Sequence, residues 1–152
     1  MLAKPKAPPV VVLLACGAAM WAVAEGVPSL GFALDARRWV AGGLGIAGVL
    51  VAAAAVVRFV RARTTVNPLD PAKASALVTG GVFAFTRNPM YLGMLLVLAG
   101  WGVWLANAGG FVVLLLYLAY MNRFQIAPEE AAMTRQFGRD YEAYCQRVRR
   151  WL

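Results

Sequence analysis

Apolar residues run along this chain in long blocks rather than in the short alternations of a soluble surface. Val10 to Ala24 holds 15 residues without a charge, and after Glu25 the apolar character resumes from Gly26 to Leu34, with Pro28 as a break. Trp39 to Val57 adds 19 uncharged residues, roughly 28 Å of helix against a hydrocarbon core of about 30 Å. Asn88 to Asn122 is uncharged for 35 residues, roughly 52 Å as one helix and too long for one crossing. Asn107-Ala108-Gly109-Gly110 is the turn signal inside it, so the stretch predicts two spans, Pro89 to Ala106 and Phe111 to about Gln125, folded as a tight antiparallel hairpin. Beyond them Met133, Phe137, Tyr141, Tyr144, Val148 and Trp151 follow at spacings of 4, 4, 3, 4 and 3, one apolar face of a helix that is otherwise rich in arginine. The pattern predicts an all-α integral membrane protein with about four transmembrane helices plus a C-terminal amphipathic cytoplasmic helix. Residues 1–60 form a two-helix membrane segment, and residues 61–152 a loop, a helical hairpin and a C-terminal cap, together one folded unit.

Composition agrees: 61 % of residues are hydrophobic and 14 % charged, where a soluble chain carries about 25 % charged. The charges then set topology. Lys4, Lys6, Arg58, Arg61, Arg63, Lys73, Arg87, Arg123, Arg135, Arg139, Arg147, Arg149 and Arg150 make 13 basic residues on one side of four spans, against Arg37 and Arg38 on the other. The positive-inside rule puts both termini and the loop from 61 to 88 in the cytoplasm. Arg outnumbers Lys 12 to 3, and together with a bare four-span plan this points to a bacterial cytoplasmic membrane. A cleaved leader is the alternative for the first span, since Leu13-Leu14-Ala15-Cys16 resembles a lipoprotein box; the short run before Cys16 and the hydrophobicity continuing to Ala24 favour a retained helix. Topology and anionic lipid already account for the basic residues, so nucleic acid is not implied, and no obligate protein partner is evident.

Gly43-Leu44-Gly45-Ile46-Ala47-Gly48 spells a dinucleotide fingerprint, but no strand precedes it and it lies at bilayer depth. Small residues four apart, Ala41 with Gly45, Gly43 with Ala47 and Gly48 with Ala52, read instead as a helix-packing face, which would also permit self-association. The absence of histidine excludes a Ser-His-Asp or Cys-His nucleophile and any histidine-ligated zinc or haem. Cys16 and Cys145 are read as unpaired thiols, and no metal site is expected.

The hairpin would bring two polar clusters to one cytoplasmic rim. The first is Thr86-Arg87-Asn88-Pro89-Met90-Tyr91-Leu92-Gly93, with Pro89 as first helical residue and Asn88 as its cap, so that the positive helix end and Arg87 suit an anionic group. The second, Asn122-Arg123-Phe124-Gln125 followed by Pro128-Glu129-Glu130, suits an ammonium or ribose hydroxyls. The plain alternative is structural: arginines at span ends satisfy topology, glutamates after Pro128 form an ordinary first turn, and the tail lies on lipid. The 61–88 loop is long for a connector; it either binds something or re-enters the membrane at Leu77 to Phe85.

Leu77-Val78-Thr79-Gly80-Gly81-Val82-Phe83, Arg87-Asn88-Pro89-Met90-Tyr91-Leu92-Gly93, Glu129-Glu130, Phe137-Gly138, Tyr141, Tyr144, Val148 and Arg150-Trp151 together resemble the isoprenylcysteine carboxyl methyltransferases and their phospholipid methyltransferase relatives, over residues 64 to 152. The resemblance implies an integral-membrane enzyme binding S-adenosylmethionine between the cytoplasmic ends of its last helices and a C-terminal cap, with a lipophilic acceptor entering from the bilayer. It implies that Leu77, Val78 and Phe83 line the cofactor pocket, with Arg87, Asn88, Pro89, Tyr91, Glu129 and Glu130 also contacting the cofactor. Asn88 stands where many members have histidine. Gln125 stands near the place of a substrate-carboxylate arginine in eukaryotic members, and Arg123 is the nearest cation to replace it. The catalytic candidates are thus Arg123, Glu129 and Glu130, and the substrate-facing ones Arg123 and Gln125. A sulfonium methyl is already activated, so transfer needs alignment and dryness more than a base; a phospholipid amine would need Glu129, Glu130 or Tyr91 to take its proton. Other expectations remain open: a phospholipid N-methyltransferase, an NADPH-dependent sterol-reductase-like enzyme, or a non-enzymatic membrane protein whose tail grips lipid or a partner.

Overall fold

The computed structural model describes residues 7–63 and 75–152. Lys4, Lys6 and Lys73 of the charge count lie outside the described residues. The described helices are α1 (Pro9–Gly26), α2 (Arg37–Arg61), α3 (Pro89–Leu105), α4 (Gly109–Tyr120), α5 (Ala127–Phe137) and α6 (Arg139–Arg147). A π-helical segment, Met121–Ile126, joins α4 to α5, giving one helix of 29 residues from Gly109 to Phe137. Two 3-10 turns, Pro28–Leu30 and Gly81–Ala84, complete the elements, and no strand occurs among the described residues. Among the described residues three helices are long and apolar enough to cross a membrane: α1, α2 and Gly109–Phe137. Helix α3 is a shorter apolar helix of 17 residues, roughly 26 Å long.

Proline and a left-handed corner set the ends. Pro9 and Pro89 occupy the first helical positions of α1 and α3, where a missing N–H costs nothing. Helix α3 stops at Ala106, held in the left-handed region at φ 52°, ψ 42°, and the chain reverses there into α4. The reversal is stitched to the α1–α2 connection: Phe32 N–H donates to the Ala106 carbonyl, Ala108 N–H to Leu30, and the Asn107 amide to Val27, at 2.9, 2.9 and 3.0 Å. The hairpin anticipated at Asn107 to Gly110 is therefore present, with its far end pinned.

Helix α2 packs against α3 backbone to backbone. A Cβ at Gly93 would lie 2.5 Å from the Gly48 carbonyl oxygen and 2.9 Å from Ala52 Cβ, and one at Gly100 would lie 2.7 Å from the Ala41 carbonyl oxygen. Of the small-residue pairs, Ala41/Gly45 and Gly48/Ala52 serve this contact, whereas Gly43 and Ala47 are exposed. The register is antiparallel, so the C-terminal end of α2 stands beside the start of α3. Met20, Tyr91, Leu98, Val113, Tyr117, Met121 and Ile126 form the buried centre of the bundle.

Two expectations need correction. The helix that begins at Gly109 does not end near Gln125; it runs on through the π segment to Phe137, with Pro128 where the two hydrogen-bonding patterns meet. Nor is the tail one amphipathic helix. Gly138, at φ 49° and ψ −121°, breaks it into α5 and α6, and glycine adopts that backbone without the steric cost of a side chain. The break folds the apolar face inward: Tyr141, Tyr144 and Val148 are buried together, with Leu77, Met133, Phe137 and Cys145 packed on them. That face meets Leu77 and the Phe83 carbonyl of its own chain.

Candidate functional site

The start of α3, the π–α5 segment and the C-terminal residues converge on one rim, and the two adjacent glutamates divide the polar residues between them. Glu130 takes the cations. Arg87 Nη1 lies 3.1 Å from its Oε1, and Arg150 grips both oxygens, Nε at 3.0 Å and Nη2 at 2.5 Å. Glu129 takes neutral partners: the Tyr91 hydroxyl donates to Oε1 at 2.5 Å and Gln125 Nε2 at 2.9 Å. Gln125 also donates to the Tyr91 hydroxyl at 3.3 Å and is buried to 1 % exposure. Tyr117 O–H supports Tyr91 from below through its backbone carbonyl, at 3.1 Å. No cation is paired with Glu129 among the described residues.

The C-terminal residues lie across the mouth of the hairpin. Arg87 N–H donates to the Arg149 carbonyl at 3.0 Å, while Thr86 Oγ1 and Asn88 Nδ2 both donate to the Arg150 carbonyl, at 3.2 and 2.9 Å. Trp151 Nε1 and Arg150 Nη1 reach Asn122 Oδ1 at 3.1 and 3.4 Å. Asn88 occupies the N-cap position of α3, but its side chain makes no cap bond there; its amide holds the tail instead, which corrects the capping role expected of it.

Arg87 also donates to Cys145 Sγ at 2.7 Å. Desolvation lowers the affinity of its guanidinium for the proton, but Glu130, then Cys145 and Tyr141, more than restore it, so the group ends above the ordinary arginine value. Its Nε is buried without a partner among the described residues. Burial, with the neighbouring Cys145 and Glu130, pushes the Tyr141 phenol up, against a smaller opposing pull from Arg87.

The Leu77–Phe83 stretch forms the remaining wall. Leu77 joins the Tyr141–Tyr144–Val148 cluster, Val78 is half-buried beside it in sequence, and Phe83 is buried edge-to-face on Phe59 of α2, with ring centroids 5.0 Å apart. The Phe83 carbonyl accepts the Tyr144 hydroxyl at 2.6 Å.

The structure thus brings together Arg87, Asn88, Pro89, Tyr91, Gln125, Glu129 and Glu130, with Leu77 and Phe83 on the adjoining wall. It leaves Arg123 outside: that residue is exposed on the π segment and makes no polar contact with the cluster. Gln125 is engaged with Tyr91 and Glu129 rather than standing free. Tyr117, Cys145 and Arg150 belong to the network although none of them is among the site residues expected from the sequence. Arg150-Trp151 was visible as part of the motif series, whereas Tyr117 and Cys145 carried no signal beyond their apolar surroundings.

A family model described as phospholipid methyltransferase matches residues 36–140. The match takes in α2, which lies before the residues 64 to 152 that carry the resemblance, and ends before the Tyr141–Trp151 portion of the motif series. A Haemophilus influenzae protein that carries no functional name is 43 % identical over 63 residues, 41 % of this chain and 100 % of that protein. An Oryza sativa subsp. indica protein named "Probable protein-S-isoprenylcysteine O-methyltransferase" is 34 % identical over 103 residues, 68 % of this chain and 54 % of its own length. A Schizosaccharomyces pombe protein-S-isoprenylcysteine O-methyltransferase is 35 % identical over 79 residues, 50 % of this chain and 32 % of its own length. The chain therefore spans about half the length of the rice relative and a third of the yeast one. No solved structure matches it.

Proposed function

Because the chain belongs to the phospholipid methyltransferase family, we propose that it is an integral-membrane methyltransferase that uses S-adenosylmethionine to methylate a lipophilic acceptor at the cytoplasmic surface. In this reading α3 crosses the membrane as well, giving four crossings with both ends of the chain in the cytoplasm. The membrane is the cytoplasmic membrane of a bacterium. The acceptor is an isoprenylcysteine-type carboxylate or another small lipid.

The observation that carries the reading is the division of labour between the glutamates. Glu129 is held by a tyrosine and an amide, with no cation paired to it among the described residues. A carboxylate in that setting fits a cationic ligand, and a sulfonium or α-ammonium is one. S-adenosylmethionine, when bound, supplies a methyl group already activated for displacement. This chain's residues bind, orient and keep dry. Glu129 balances the ligand's positive charge; Tyr91 and Gln125 fix that carboxylate; Glu130 holds Arg87 and Arg150 so that the C-terminal residues stay closed over the rim. Leu77, Val78 and Phe83 offer apolar walls that exclude water, which strengthens every charge interaction inside. No general base is required for a carboxylate acceptor, in keeping with the absence of histidine.

The test is calorimetric titration of the purified chain in detergent. S-adenosylmethionine and its demethylated product both bind, and Glu129→Gln weakens the sulfonium-bearing cofactor by about tenfold, equivalent to ~1.4 kcal/mol, and weakens the thioether product, which keeps only its α-ammonium, less. Absence of heat and of any thermal shift at saturating cofactor would refute the reading.

A further inference from the structure

Towards the end of the bundle remote from the glutamates, α2 carries an apolar groove. Gly42, Gly45, Ile46, Val49 and Leu50 line a volume of about 400 Å³, and all five belong to α2. That size falls within the ~300–1,000 Å³ of small-molecule sites. A Cβ on Gly42 or Gly45 would meet nothing within 4 Å, so the glycines leave open space, while Ile46, Val49 and Leu50 stand exposed along it. The groove runs beside the contact with α3, since a Cβ on Gly100 would come within 3.2 Å of the Gly45 nitrogen.

Arg38 stands at the head of the groove. At about 100° per residue, Arg38, Gly42, Gly45 and Val49 fall within about 60° of one another around the helix. At ~1.5 Å per residue, Gly42 to Leu50 lie roughly 6 to 18 Å along the axis from Arg38, about the depth of one leaflet in a hydrocarbon core of ~30 Å. The Arg38 guanidinium lies 5.7 Å from the centroid of the Trp39 ring, which is 74 % exposed at the start of a membrane-length helix, where tryptophan suits the membrane–water interface. Arg37 lies 5.9 Å over Trp104 at the same rim. Among the described residues neither arginine is bonded to a carboxylate, and Glu25 and Asp35 of this end are exposed and pair with neither. A cation at head-group level above an apolar groove one leaflet deep is complementary to an amphiphile with an anionic head. A second copy of the chain fits less well. Copies in one bilayer share their orientation, so two-fold pairing through this face would set Arg38 against its counterpart at the same depth, like charge against like.

We propose that this groove holds one acyl chain of an anionic phospholipid whose phosphate rests on Arg38. The inference depends on α2 crossing the bilayer and not on the methyltransferase reading, because Arg38 stands at the opposite end of α2 from the glutamate cluster.

The experiment titrates phosphatidylglycerol and phosphatidylcholine of matched chains onto the full chain in an uncharged detergent, reading bound lipid by native mass spectrometry and stability by melting. Wild type binds one phosphatidylglycerol about tenfold more tightly than phosphatidylcholine. Arg38→Ala loses that preference and Arg38→Lys keeps part of it, whereas Arg139→Ala, which removes an exposed arginine from α6, leaves it unchanged. Gly42→Leu keeps the cation and fills the groove with a better helix former, so it abolishes the tight binding while melting no lower than wild type without lipid. A preference equal in wild type and Arg38→Ala overturns the inference, and so does wild-type lipid binding by Gly42→Leu. A lipid-free dimer that Gly42→Leu converts to a monomer overturns it in favour of a second copy in the groove. Should Arg38→Ala fail to fold, Gly42→Leu and Arg38→Lys decide the matter by the same readings.

Discussion

Exchanging each of the two adjacent glutamates for glutamine should have opposite consequences for stability, although the chemical change is the same. Glu130 bonds to two guanidinium groups, with side-chain exposures of 19 % for Glu130, 16 % for Arg87 and 37 % for Arg150. A hydrogen bond to a charged group contributes about 1.5–3 kcal/mol, and the more exposed Arg150 end counts for less than ~1 kcal/mol after solvent screening. Glutamine keeps one acceptor oxygen but leaves both cations uncompensated, so Glu130→Gln should cost about 2 kcal/mol. For a chain of this size that lowers Tm by roughly 4–8 °C. Glu129 presents the contrary case. Both Tyr91 and Gln125 donate to the same oxygen, Oε1, which a glutamine amide oxygen can replace. Glu129→Gln removes a buried charge that has no cation beside it, so Tm should stay within the range of ~1 kcal/mol or rise. Melting curves in one detergent, with no cofactor added, compare the two variants directly. An equal fall in both, or no fall in Glu130→Gln, would refute the division of labour on which the cofactor assignment rests.

Gly93→Ala should destabilise by about 1–3 kcal/mol, because its Cβ would meet the Gly48 carbonyl at 2.5 Å, backbone that cannot rotate away. Gly43→Ala, where nothing lies within 4 Å of the new Cβ, should be neutral or stabilise by up to ~1 kcal/mol; paired melts of the two variants check the packing face. Burial pushes the Tyr144 phenol up to about 12, with Arg87 opposing and Cys145 adding to the shift. A raised folded-state value means that this stabilisation is whole below the unfolded tyrosine pKa near ~10 and is lost as pH rises through about 12. Alkaline melting of Tyr144→Phe should therefore show a shallower fall with pH over that window than wild type.

The apolar blocks made the helices legible, because a charge-free run of bilayer length has few folded alternatives. Pro9 and Pro89 marked helix starts for the same reason in both places: a ring that needs no N–H partner. The convergence of Arg87 with Glu130 followed from a fold-back at Asn107, which length alone demanded. What the pattern could not give was partnership. Arg87 and Arg123 look alike as span-end cations and Arg150 is one of several tail arginines, yet Arg87 and Arg150 pair with Glu130 and Arg123 is exposed. Spacing also read the tail as one helix, since the apolar residues kept a helical period straight through Gly138; the periodicity belongs to two helices that share one buried cluster after a left-handed glycine turns the chain. Small residues on α2 predicted a packing face but not which of its two stripes would be used.

The π segment explains why Gln125 and Glu129 were hardest to place. An α-helix turns about 100° per residue, so residues four apart overshoot a full turn by about 40°, and from Tyr117 to Glu129 the drift would reach about 120°. Tyr117, Met121, Gln125 and Glu129 nevertheless serve one side: Tyr117, Met121 and Gln125 are buried, and Tyr117, Gln125 and Glu129 all bond to Tyr91. A π turn, with its hydrogen bonds five residues apart, winds more residues into each turn and takes back part of that drift. Placed at Met121–Ile126, it lets a single continuous helix carry a tyrosine of the buried core and a rim carboxylate to the same tyrosine on α3. No composition or hydrophobic period announces such a turn. Its place is fixed by the polar groups that must meet across it, which is why it lies at the cluster and not elsewhere in the helix.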